Sequence, residues 1–116
     1  MSSDSSVSLP RVTIRFCTQC KWMLRAAYYA QELLSTFSLA IGEVALQPST
    51  GGTFVVSIEH RPRAPDPTDN ASDSSQSPPH AAPLTTTLWD RRVDGGFPET
   101  KELKRRVRLS FVEHDR

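Results

Sequence analysis

No run of apolar residues in this 116-residue chain approaches the roughly 18 needed to cross a membrane, because Arg25, Gln31 and Glu32 interrupt the longest candidate. No charge of one sign prevails either. Fourteen basic residues stand against 13 acidic ones, and a net charge of +1 gives no broad field to draw nucleic acid or an anionic membrane surface. The first ten residues, MSSDSSVSLP, hold no basic segment followed by an apolar core, and Asp4 is out of place in a transit peptide, so a cytoplasmic location is expected. Cysteine is scarce: Cys17 and Cys20 are the whole supply. In a reducing compartment two sulfurs three positions apart are seldom a permanent staple, which shifts weight toward redox or metal chemistry. The remainder, 37% hydrophobic with 8% aromatic, suffices for one domain with a modest core.

The period of the apolar residues divides the chain. RVTIRF (11–16) alternates, with Val12, Ile14 and Phe16 on one side, and predicts a first strand. From Lys21 to Phe37 the residues Trp22, Met23, Ala26, Ala27, Ala30, Leu33, Leu34 and Phe37 recur every three or four positions, which predicts a helix. GEVALQP predicts a second strand with Val44 and Leu46 inward, ending at Pro48. STGG is a turn whose glycines are free to take positive φ, and TFVVSIEH is a third strand burying Phe54, Val56 and Ile58. Residues 61–86 hold six of the nine prolines and no aromatic residue. Such a stretch buries too little apolar surface to offset its ordering entropy, so a disordered insertion is expected there, as is a disordered tail over residues 1–10. TTLWDR follows as a short fourth strand and VDGG as a turn. Pro98 then opens a second helix with Leu103, Val107 and Phe111 as its buried stripe and a solvated basic face of Lys101, Lys104, Arg105, Arg106 and Arg108.

The order strand, helix, strand, strand, strand, helix predicts a two-layer α/β sandwich, both helices covering one face of a four-stranded mixed sheet. Thr13, Arg15, Val55 and Ser57 would lie on the open face, and the first crossover makes strands one and two parallel. The domain spans 11–116.

Cys17 then leaves the carboxyl end of strand one, and Cys20 falls in the first turn of helix one. Unpaired N–H groups and the positive dipole end at a helix start favour a thiolate, making Cys17 the candidate for a lowered pKa, with Lys21 and Arg15 as helpers. Cys17 could attack a disulfide and Cys20 resolve the mixed disulfide. The same spacing also supplies half of many zinc sites, for which only His60, His80 and His114 could add imidazoles, and free cysteines also pack as inert small hydrophobes. A rival of another class is a protein-binding or redox-sensing module in which the sulfurs do no catalysis.

VTIRFCTQCKWMLRAAYYAQELL, IGEVALQPSTGGTFVVSI and LWDRRVDGGFPETKELKRRVR together resemble a cysteine-containing member of the selenoprotein W-like Rdx family. The resemblance covers most of residues 11–108. It implies a thioredoxin-like fold with sheet order two, one, three, four. It also implies a thiol-disulfide oxidoreductase role for Cys17 and Cys20 in cell redox homeostasis, with glutathione or the thiols and disulfides of partner proteins. Selenium-containing relatives carry selenocysteine at the position of Cys20, so which sulfur leads stays open. Where a typical thioredoxin has a cis-proline facing the active site, this chain reads Ser49-Thr50-Gly51-Gly52, and these four with Phe97 are expected to line the surface near the sulfurs. No metal, no cofactor, no nucleic acid and no membrane is expected as a partner, and any self-association should be weak.

Overall fold

The computed structural model describes residues 7–61 and 84–114; most of the expected insertion and residues 1–6 of the expected tail lie outside them. The alternating RVTIRFC segment forms the central strand β1 (Arg11–Cys17), which buries Val12, Ile14 and Phe16. β2 (Glu43–Ser49) runs parallel to it on one side and β3 (Phe54–His60) antiparallel on the other, with β4 (Leu84–Asp90) outside β3, giving the order β2-β1-β3-β4. The implied order and the thioredoxin-like α/β sandwich are therefore what the chain adopts. A register shift beside Val56 and Ser57 inserts an extra residue in β4, which allows the neighbours Leu88 and Trp89 both to be buried against strict alternation.

α1 (Met23–Phe37) and α3 (Thr100–His114) contribute Ala26, Tyr29, Leu33, Leu103 and Val107 to one core cluster with the inward residues of the sheet, so both lie on the same face. A single 3₁₀ turn, Ser38–Ala40, closes α1. Among the described residues no helix is long and apolar enough to cross a membrane.

Several boundaries differ from expectation for identifiable reasons. α1 starts at Met23 rather than Lys21, because Lys21 has φ 62° and a right-handed helix cannot propagate through it. Its buried face runs through Ala26, Tyr29 and Leu33. Met23 and Leu34, expected inward, are 61% and 43% exposed because they lie off that stripe. Leu46 faces the helical layer but sits on the edge strand and stays exposed. Pro48 does not end β2; on an edge strand its missing donor is tolerated, and pairing continues to Ser49. β4 begins at Leu84, so residues 84–86 belong to the sheet and not to the insertion. Val7–Pro10, assigned to the tail, run beside β2: the Ser8 N–H donates to Glu43 Oε1 at 3.0 Å and the Gly42 N–H to the Pro10 carbonyl at 2.8 Å.

The supposed VDGG turn is instead a one-turn helix, α2 (Arg91–Asp94), followed by Gly95 and Gly96 at positive φ. Pro98 precedes α3 rather than opening it, and the first turn closes with the Leu103 N–H on the Glu99 carbonyl. The carbonyl of Pro98 accepts a hydrogen bond from the buried hydroxyl of Tyr29, pinning this entry segment to α1. Tyr29→Phe leaves that buried carbonyl unsatisfied and is expected to lower unfolding free energy by about 1–3 kcal/mol, read as a lower urea midpoint with an unchanged circular dichroism spectrum.

Candidate active site

β1 ends at Cys17, opposite Ser49 of β2. Thr18 extends the edge by donating both its N–H (2.9 Å) and its hydroxyl (3.1 Å) to the Ser49 carbonyl. The chain then reverses: the Lys21 N–H donates to the Thr18 carbonyl at 3.0 Å and the Trp22 N–H to the Cys17 carbonyl at 3.4 Å, with Lys21 in the left-handed region. This folds Cys20 back toward Cys17 and sets the two sulfurs 2.8 Å apart, the Cys20 thiol donating. Cys20 thus lies in the turn before α1, not in its first turn, and Trp22 holds the N-cap position without a side-chain cap. Both thiols are free; Cys17 is buried, with 1% of its surface exposed, whereas Cys20 is exposed.

The Cys17 thiol is lowered below its usual value chiefly by the hydrogen bond from Cys20; burial opposes this, and the N–H groups of Gly52, Cys20 and Gln19 reinforce it. Cys20 is pushed up, first by giving its proton to that bond, then by burial and the charge on Cys17, while the Gly52 N–H and the Arg91 charge pull the other way. The pair therefore loses its first proton easily and its second with difficulty. The donors that act on Cys17 are turn amides and Gly52 of the β2–β3 turn.

The expected lining residues divide. Gly52, at φ 71°, presents its N–H to both sulfurs. Gly51, also at φ 71°, gives its carbonyl to Arg92 of α2, and Ser49 and Thr50 accept bonds that hold the two turns. Phe97 stands one layer back, edge-on to Trp22 at 4.9 Å and to Phe54 at 5.1 Å, supporting the wall that Trp22 forms. His60 packs against Ser110 and Phe111 at the opposite end of β3, six residues from the Phe54 end that pairs with Phe16, or roughly 20 Å away. No group of three metal-ligating side chains occurs among the described residues. Of the remaining imidazoles, His80 lies outside the described residues. Arg91 and Trp22 were missed as site residues: nothing in the spacing of DRRVD indicates a helix that turns back to the thiols.

A dithiol at the β1–α1 junction on a sheet of this order is matched by the profile of the Rdx family over residues 11–109. The chain belongs to the Rdx family. A Bordetella parapertussis protein of known crystal structure is 48% identical, with 86% of this chain and 95% of that one covered and a TM-score of 0.61. A selenoprotein W-related protein from Vibrio cholerae is 37% identical over 86% of this chain and 94% of its own, also at TM-score 0.61. A search of curated proteins finds no match. Rdx proteins related to selenoprotein W are in general thioredoxin-like redox proteins, and the matched stretch of this chain includes Cys17 and Cys20.

Two substitutions probe the geometry. Cys20→Ala removes the donor and should raise the Cys17 pKa, seen as a later rise of thiolate absorbance with pH. Gly52→Ala meets no atom within 4 Å of its new Cβ and keeps the N–H, so its cost is conformational: about 1–2 kcal/mol of stability for a left-handed alanine, read as a lower urea midpoint.

Proposed function

We propose that this Rdx protein is a thiol-disulfide oxidoreductase in which Cys20 attacks and Cys17 resolves. The observation that carries the reading is the contrast in access: a partner sulfur can reach exposed Cys20, while Cys17 is sealed yet within hydrogen-bonding distance of it. The shared proton moves to Cys17, and the Cys20 thiolate attacks one sulfur of a partner disulfide. The other partner sulfur leaves as a thiolate and takes up a proton. Cys17 then gives up its proton and attacks the Cys20 sulfur, releasing the second partner thiol and closing the Cys17–Cys20 bond. Two electrons pass from the protein to the partner, and two protons accompany them. An S–S bond needs about 2.05 Å, which the turn can supply by a small closure.

Glutathione or the thiols of partner proteins would return the pair to the dithiol. An apolar groove of about 510 Å³ beside the turn, lined by Phe16, Thr18, Lys21, Met23, Leu24 and Pro48, supports a polypeptide as one partner. Met23 and Leu24 are exposed there, where a folded chain gains nothing from leaving them in water.

Equilibrating the protein in glutathione buffers should yield a species lighter by two protons, absent from Cys17→Ser and Cys20→Ser. Mixed with a disulfide substrate, Cys17→Ser should accumulate a mixed disulfide and Cys20→Ser should not. If no buffer produces a reversible disulfide, the oxidoreductase reading ends; if Cys20→Ser is the variant that traps the partner, the order of attack is reversed.

A further inference from the structure

The attack sequence leaves one matter to be settled by the protein: which of two hydrogen-bonded sulfurs carries the single negative charge. At rest the charge sits on buried Cys17, where no partner can use it, and it must pass to Cys20 before exchange can begin. α2 packs beside the thiol turn. Its first residue, Arg91, is half-buried, with its guanidinium 5.0 Å from the ring centre of Trp22 and 5.9 Å from that of Phe97. Trp22 follows Cys20 by two residues, so this stack places a cation against the turn that carries the thiol. The next residue, Arg92, donates to the carbonyl of Gly51 in the β2–β3 turn, whose neighbour Gly52 contacts both sulfurs. α2 therefore grips the thiol pair from two sides.

The cation is uncompensated. Asp90 accepts from the Arg92 N–H, and Asp94 is taken up by the Asp90 N–H and by Arg106. Among the described residues Arg91 forms no ion pair, and its Nε is buried without a hydrogen-bond partner.

We propose that Arg91 is a positioning residue that stabilises the negative charge on Cys20 when it passes there from Cys17, favouring the sulfur that a partner can reach. The proton passes along the 2.8 Å bond from Cys20 to Cys17, and no oxidant or reductant is needed for this step. Trp22 and Phe97 hold the flat guanidinium in place through their ring faces. The charged groups on the elements around Cys20 are Cys17, Arg11 and Arg15 on β1, Lys21 in the turn, Arg25 and Glu32 on α1, and Arg91, Arg92 and Asp94 on α2; the β2–β3 turn carries none, and Arg11, Glu32 and Asp94 are paired with Glu43, Lys104 and Arg106. Arg25 lies over Phe97 at 4.1 Å and Arg92 is bonded to Gly51, whereas Arg91 stands against Trp22, beside the thiol turn, and its charge favours the Cys20 thiolate.

This inference rests on the oxidoreductase reading, but its test does not require turnover. In a Cys17→Ser background, where only Cys20 titrates as a thiol, Arg91→Met and Arg91→Gln should each raise the Cys20 pKa by about half a unit to one unit. Arg91→Lys, which keeps the charge and loses the flat stack, should recover most of that shift. With both cysteines present, the neutral variants should react about two- to threefold more slowly with an aromatic disulfide at neutral pH, the loss of thiolate being partly offset by its greater nucleophilicity. Urea midpoints identify any variant that has lost its fold, and three substitutions at the position keep the test open if one fails. An unchanged Cys20 pKa in the folded neutral variants, or a shift that Arg91→Lys does not reverse, would overturn the assignment. A wild-type protein with no reversible disulfide would instead overturn the redox reading while leaving the ionisation result intact.

Discussion

The 2.8 Å contact between Cys17 and Cys20 exists because β1 stops where it does. Parallel pairing carries β1 alongside β2 as far as Cys17 and Ser49, and Thr18 clamps the Ser49 carbonyl twice. With the strand held there, the reversal at Lys21 has one outcome: Cys20 returns over the strand end. A positive φ at a residue with a side chain costs on the order of 1 kcal/mol, and the bonds from Lys21 to Thr18 and from Trp22 to Cys17 offset it. The antiparallel partner completes the site, since the turn leading into β3 brings Gly52 across to the same sulfurs.

Periodicity made β1, α1, β3 and α3 legible, and glycine spacing located the turn at Gly51 and Gly52. Three features were out of its reach. Left-handed Lys21 carries no sequence mark, since glycine, asparagine or aspartate would have been the ordinary signal, and this hid the fact that Cys20 precedes the helix. A one-turn helix such as RRVD is too short to show a period, and the two glycines behind it read as a plain turn. The burial of Cys17 was also invisible, because it comes from a turn more than 30 residues away folding onto the strand end. The sulfurs themselves were legible as a pair; their unequal exposure was not.

α3 extends the support for the site further than its pattern indicated. Its basic face was expected to be merely solvated, yet Arg106 reaches Asp94 of α2 at 3.2 Å and the Leu88 carbonyl at 2.8 Å, and lies 4.6 Å over the ring of Trp89. Glu102 on the same helix holds Arg105 and Arg106 and is itself lowered to about 2, so its charge survives well into acid. Lys104 meets Glu32 at 2.9 Å and ties α3 to α1. Through Arg106 and Asp94 the last helix of the chain fixes α2, and α2 in turn presents Arg91 and Arg92 to the thiol turn.

Unequal ionisation and unequal access are compatible once both directions of exchange are considered. Nucleophilicity falls with pKa, so a charge placed on Cys20, the less acidic sulfur, makes a stronger attacker than the same charge on Cys17. In the reverse direction an incoming thiol reaches the exposed Cys20 side of a Cys17–Cys20 bond, and Cys17 is the group that must leave. A leaving thiolate departs faster as its pKa drops, and the Gly52, Gln19 and Cys20 N–H groups stabilise the charge on Cys17 whether or not the Cys20 thiol is there to donate. In the proposed cycle, burial of Cys17 then has a chemical consequence: it would direct the incoming thiol to Cys20 and keep the better leaving group in the protein, so that both half-reactions would proceed through the same exposed sulfur.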